Sequence, residues 1–341
     1  MRLTFAAVVA ASCALSGQAA AERFVPDAVT IQHAAAVLEV IPEDRTDVDV
    51  AIAQNPRLPA ISARVQGDRV VVDGGLSNRF RGCSTMFGGQ PNVRISGIGN
   101  VAREDLPRIT LRVPRTLDLD VGGAVFSNVR ASQGGKMEFS GCGDTNVAAV
   151  TGGLEIVLNG SGDVDVAGVS GALNASLNGS GSLEVVRAGG NATLRLAGSG
   201  DLDVGDVGGA VDARLNGSGS LEVGNVGNGA RLALTGSGDV DAGAVRGALS
   251  VDLRGSGSVD VTSVEGPSAD LALVSSGDID VAGGRVGALN ARSAGSGNVR
   301  FGGAAQTTHA SVSGSGDISI ADAGRVQELR DSGSGSVHVG R

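Results

Sequence analysis

The stretch Leu158-Asn159-Gly160-Ser161-Gly162-Asp163-Val164-Asp165-Val166 decides the fold, because the same unit keeps returning towards the C-terminus. Gly160-Ser161-Gly162 comes back as Gly179-Ser180-Gly181, Gly198-Ser199-Gly200, Gly217-Ser218-Gly219, Gly236-Ser237-Gly238 and Gly255-Ser256-Gly257, nineteen residues apart each time. The step lengthens to twenty at Ser275-Ser276-Gly277 and Gly295-Ser296-Gly297, then returns to nineteen at Gly314-Ser315-Gly316 and Gly333-Ser334-Gly335. A degenerate copy, Gly141-Cys142-Gly143, sits one step upstream. A fixed period of this size is the mark of a solenoid.

Within each unit, aliphatic residues alternate with polar ones. Counting from the first glycine, the fifth position holds Val164, Leu183, Leu202, Leu221, Val240, Val259, Ile279, Val299, Ile318 and Val337. The seventh holds Val166, Val185, Val204, Val223, Ala242, Val261, Val281, Phe301, Ile320 and Val339. A second alternating run follows, as in Leu173/Ala175/Leu177 and Val211/Ala213/Leu215. Period-two alternation means strands with one face buried and one wet. Nineteen residues suffice for one closed turn, so the spacing predicts an all-β chain. It would be a single-stranded, right-handed β-helix with ~19-residue turns stacked ~4.8 Å apart. One turn alone buries too little to offset its ordering, so stability is collective. Asp163, Asp201 and Asp239 alternate with Ser182, Ser220 and Ser258 at the fourth position. That alternation leaves a 38-residue turn open, although keeping like charges apart accounts for it more simply.

Upstream the pattern changes. Met1-Arg2, the apolar run Leu3–Leu15 and the small residues Ala19-Ala20-Ala21 read as a secretory signal peptide over 1–21, cut between Ala21 and Glu22. Cys13 lacks the aliphatic residue expected three places before a lipidated cysteine. The expected address is extracytoplasmic: periplasm, outer surface or secreted. Residues 22–90 read as an N-terminal β cap built from Val37–Ile41, Val48–Ile52, Ile61–Val65 and Arg69–Val72, with a hairpin turn at Gly67-Asp68. Residues 91–341 form the repeat domain. Val93–Val101 and Leu117–Gly123 look like decayed copies, which places the start of the stack near Gly97. At the far end Gln327 and Asp331 fill slots that are aliphatic elsewhere, as suits a terminal turn.

A net charge of −9 argues against a nucleic-acid partner. No second long apolar run supplies a transmembrane segment. With no Trp and no Tyr, the chain cannot build the aromatic girdles of an outer-membrane barrel. Cys83 and Cys142, in an oxidising compartment, read as a disulfide. His33, His309 and His338 show no metal-ligand spacing and read as surface residues.

The sharpest local feature is the sixth position: Asp165, Glu184, Asp203, Glu222, Asp241, Asp260 and Asp280, followed by Arg300, Ser319 and His338. Stacked turns would line these carboxylates up on the outside, each pair repelling by about 1 kcal/mol in a water-like dielectric. One reading is a solvated acidic edge, and the other is a ladder for divalent cations. The calcium-binding nonapeptide repeat does not fit, because its Asp slot falls on Val164 when the glycines are aligned. A polysaccharide-active β-helix enzyme is the alternative function, yet any two stacked acids meet the carboxylate spacing that glycoside hydrolysis needs. No convergent catalytic constellation stands out, and no cofactor is implied.

Laid out in this way, the Ser/Asn-Gly-Ser-Gly-Asp-Val-Asp-Val units from Gly160 to Val339, together with the alternating Val37–Val72 strands, resemble a bacterial family called the putative auto-transporter adhesin, head GIN domain. The resemblance implies an exported right-handed β-helix of structural or surface-interaction (adhesin-like) role, with cell-surface or glycan ligands. It carries no catalytic or binding residues. The number of regular turns exceeds what one such domain needs and leaves room for two adjoining copies. The expected assembly is a monomer or weak self-association.

Overall fold

The computed structural model describes residues 22–24, 28–77, 79–84 and 91–340. The leader expected over 1–21, with its cut after Ala21, lies outside them. The described chain is all-β apart from one short 3-10 turn at Arg103–Asp105. Parallel coils stack into a β-solenoid of about twelve turns.

Strand register settles the length of a turn. Leu154 lies beside Leu173, Leu173 beside Ala192, Ala192 beside Val211 and Val211 beside Ala230, each a nineteen-residue step. A 38-residue turn is therefore excluded. Two parallel ribbons run the length of the stack. The first contains Leu154–Gly160, Leu173–Gly179, Ala192–Gly198, Val211–Gly217, Ala230–Gly236 and Leu249–Gly255. The second contains Val164–Val166, Ser182–Ala188, Asp201–Val207, Ser220–Val223 and Asp239–Arg246. Single bridges close a third side, as Val150 to Val169 and Val207 to Val226. The fifth- and seventh-position aliphatics of the second ribbon and the Leu/Ala/Leu triplets of the first fill one continuous core from Val164 to Ile320. Alternation thus does what the sequence implies, because every second side chain points into a shared, narrow interior.

The N-terminal end differs from the expected division into cap and repeat. Ala28–Glu43 is itself a rung of the stack. It runs parallel to Thr116–Val129 on one side and to Arg69–Asp73 and Arg108–Pro114 on the other. It turns its corner through a bulge at His33, whose φ is 52°, rather than through Gly-Ser-Gly. Covering is left to Val48–Ala53 and Ser62–Gln66, which lie antiparallel on Arg108–Pro114 and Arg69–Asp73.

Val93–Val101 is not a decayed coil. Asn92–Ile95 folds back antiparallel on Gly99–Ala102, and Phe80–Ser84 joins as a third strand. Gly97 and Gly99, at φ of 80° and 103°, make the reversal that a side chain would resist. This small sheet packs on the outside of the first coils. Val93, Ile95, Leu76 and Leu106 bury against Ala35, Ala124 and Phe126, forming a second apolar cluster. The guanidinium of Arg103 lies 5.0 Å from the Phe126 ring centroid.

Cys83 and Cys142 are bonded, tying the outer sheet to the Gly141-Cys142-Gly143 corner across 59 residues of chain. Closing a loop of that length is worth about 4 kcal/mol in the chain-entropy model. Replacing both cysteines with serine should therefore free the sheet of Phe80–Ser84, Asn92–Ile95 and Gly99–Ala102. Limited proteolysis would cut there first, while amide exchange in coils beyond Leu154 stays slow.

Candidate functional site

The outer face of the second ribbon carries a file of carboxylates. Asp165, Glu184, Asp203, Glu222, Asp241, Asp260 and Asp280 stand in one file, each beside the next in register. The file ends where Arg300 meets Asp280 at 3.1 Å. Burial, followed by the charges of Asp260, Glu222 and Asp239, pushes the Asp241 carboxyl above its ordinary range. The carboxylates form a line rather than converging on a point. Among the described residues, no group of three or more His, Cys, Asp or Glu is arranged to hold a metal ion.

The raised group has a defined sign. Between the ordinary carboxylate value and the raised one, the folded chain binds more protons than the unfolded chain, so stability falls as pH rises through that window. Asp241→Asn should therefore raise the melting temperature at neutral pH. Thermal melts of the variant and the parent should converge once the pH drops below the ordinary carboxylate range.

The fourth position explains its own alternation. The Asp163 Oδ1 accepts hydrogen bonds from both the backbone N–H and the hydroxyl of Ser182, each at 3.1 Å. Asp239 accepts the same pair from Ser258 at 3.0 and 2.9 Å, and Asp317 from Ser336 at 2.9 and 2.8 Å. At Asp278 the donor is Asn298, which then accepts from the N–H of Asp317 at 3.1 Å. Carboxylate on carboxylate would stack two acceptors, whereas carboxylate under hydroxyl pairs an acceptor with a donor. Those bonds hold the Asp317 carboxyl below its ordinary range. The sequence carried the signal, but reading it required knowing which residue lies above which.

The histidines stay apart. His33 sits at the bulge of the first rung with Nδ1 3.6 Å from Asp73, whose carboxyl is held low by the Gly75 N–H and the Gln32 amide. His309 faces Glu328 at 3.8 Å, and His338 lies 2.9 Å from the Ser336 hydroxyl. A depression beside Glu43, Arg45, Arg115 and Asp118 has its charges paired internally, Arg115 with Asp44, Arg112 with Glu43 and Arg45 with Asp47. The outer face of the first ribbon carries Arg195, Arg214, Arg231 and Arg254, with Arg214 and Arg254 paired to Asp212 and Asp252 at 3.0 and 2.8 Å.

Fold and surface together define a parallel β-solenoid with long polar ladders on even flanks. The family described as "Putative auto-transporter adhesin, head GIN domain" matches residues 99–229 and 226–340. The chain belongs to that family. The stack passes through the junction of the two matches unbroken, with Val211 beside Ala230 and Ala230 beside Leu249. The strands between Val37 and Val72 lie outside both matches. No curated protein matches the chain. Among solved structures, one described as a "Putative lipid binding protein" from Parabacteroides distasonis ATCC 8503 is 17% identical, covering 94% of this chain and 97% of that one at a TM-score of 0.27. So low a TM-score carries no weight for fold or ligand. No helix among the described residues is long and apolar enough to cross a membrane.

Proposed function

We propose that this protein is an exported, non-enzymatic surface-interaction module, with two adjoining family domains joined in one stack whose first rungs carry the antiparallel strands Val48–Ala53 and Ser62–Gln66. The observation that carries the reading is uniformity. From Thr145 to Val339 the second ribbon steps by nineteen or twenty residues, and the last coils bulge after Phe301 and Thr308. The depression along Val211, Ala230, Leu249 and Pro267 is shared by successive coils. A catalytic solenoid concentrates its chemistry where the repeat is interrupted, whereas a binding solenoid presents the same groups many times over. Low affinity at each coil then sums along the stack. Membership in a family described as adhesin-like supports the reading, and the Cys83–Cys142 bond fits an oxidising compartment outside the cytoplasm.

The test is binding of the purified protein to glycan panels and to whole cells. The reading expects retention on a cell-surface or glycan ligand that weakens progressively as coils are removed in nineteen-residue units. A clean negative across both panels contradicts it, as does turnover of a polysaccharide.

A further inference from the structure

We infer that the outer sheet of Phe80–Ser84, Asn92–Ile95 and Gly99–Ala102 is a docking face for an anionic glycan bearing carboxylate or sulfate groups, a ligand class that rests on the surface-interaction reading. The chain carries a net charge of −9, yet no Asp or Glu falls between Asp73 and Glu104, a stretch that holds Arg79, Arg81, Arg94 and Arg103. Folding turns this local excess into a face. Phe80, Cys83, Val93 and Ile95 pack on the outer apolar cluster. Alternation puts Arg79 and Arg94 on the opposite side, and Arg81 is the extra residue of a bulge between Phe80 and Gly82. All three are exposed. Arg94 has Gly82 and Asn100 beside it in register, and the Arg79 carbonyl accepts from the Ser96 N–H at 2.8 Å, so no acid adjoins them on the sheet. Among the described residues none of the three forms an ion pair, whereas Arg64, Arg69, Arg112 and Arg130 do. Arg103 is engaged separately, over the Phe126 ring and within reach of the Asp144 charge.

The stack itself is arranged differently. There, arginines stand beside acids of the next coil, as Arg187 beside Asp206, Arg231 beside Asp212 and Arg246 beside Glu265. The file of carboxylates also stops short of the sheet. It begins at Asp165, and the two coils below hold Asn146 and Asn128 in the same column. The Cys83–Cys142 bond fixes the sheet to the corner just before Asn146. A guanidinium offers paired N–H donors to an oxyanion, and three of them on adjacent strands about 4.8 Å apart can hold neighbouring charged groups of one polymer. With no Trp and no Tyr to stack on a neutral sugar, charge supplies the affinity. The acidic second ribbon repels the same ligand, which directs it to the sheet. Apolar packing and the disulfide hold the strands in place beforehand, so little ordering opposes binding.

Retention of the purified protein on polygalacturonate, dextran sulfate and uncharged dextran tests this. The two anionic polymers should bind and dextran should not, with binding that weakens as salt rises. The triple variant Arg79→Ala/Arg81→Ala/Arg94→Ala should lose affinity by about tenfold or more at an unchanged melting temperature. Arg187→Ala/Arg195→Ala/Arg231→Ala removes as many charges from the stack and should bind like the parent. Binding that survives the first triple variant, falls equally with the second, or is as strong on uncharged dextran overturns the inference and leaves the surface-interaction reading standing. A preference for phosphatidylglycerol vesicles over both anionic polymers overturns it too, since the face then belongs to a lipid surface. No binding to any glycan or cell overturns the surface-interaction reading, and the ligand class with it.

Discussion

Alanine in place of Gly257 is expected to destabilise the centre of the stack by about 3 kcal/mol or more, from one added methyl group. The reason is the approach of successive corners. A β-carbon on Gly257 would collide with the carbonyl oxygen of Gly238 in the coil below and would lie 3.1 Å from Cδ2 of Leu234. Successive corners are held in file by backbone bonds, Ser256 N–H to the Gly236 carbonyl at 2.8 Å and Gly238 N–H to the Gly217 carbonyl at 3.2 Å, so they have little freedom to draw apart. Strain at one corner is therefore passed to both neighbours. Gly283 is the control, because nothing lies within 4 Å of a β-carbon there. Gly283→Ala should melt with the parent protein. If the two variants melt alike, the close stacking of corners is wrong.

The larger loss belongs to Leu234→Asp. Leu234 is fully buried, between Leu215 below and Leu253 above. Truncation to alanine at such a site costs about 2–5 kcal/mol through lost contact and the cavity left behind. A carboxylate adds its own desolvation with no partner in an aliphatic interior, taking the expected loss beyond about 5 kcal/mol. Because each coil touches only its neighbours, the damage should divide the stack rather than dissolve it. Calorimetry is expected to show two transitions where the parent shows one, and amide exchange should accelerate first around Ala230–Gly236. Asp placed at an outward position of the same strand, as in Ala233→Asp, should change the melt little.

How much of this was legible in the sequence depended on whether the signal was local. The columns Val164, Leu183, Leu202 and Val185, Val204, Val223 could be read directly, because alternation and a constant step together specify which face is buried. The Asp163–Ser182 bond could not, since it joins residues a full turn apart whose meaning appears only once they are stacked. Val93–Val101 imitates the repeat in composition, but Gly97 and Gly99 reverse the chain where a coil would continue. Ala28–Glu43 was hidden for the opposite reason. It turns at His33, without glycines, so nothing marked it as a rung. Phe126 and the outer cluster were also beyond local reading, because an apolar residue on the wet side of a strand announces only that something covers it.

The most direct test of the stacked-coil account is a distance. Spin labels replacing Asp165 and Asp280 sit six coils apart in one outward file. At the ordinary inter-strand spacing they should be about 29 Å apart in a single narrow distribution. A value near half that, or a broad spread, would contradict coils of nineteen residues lying one upon another.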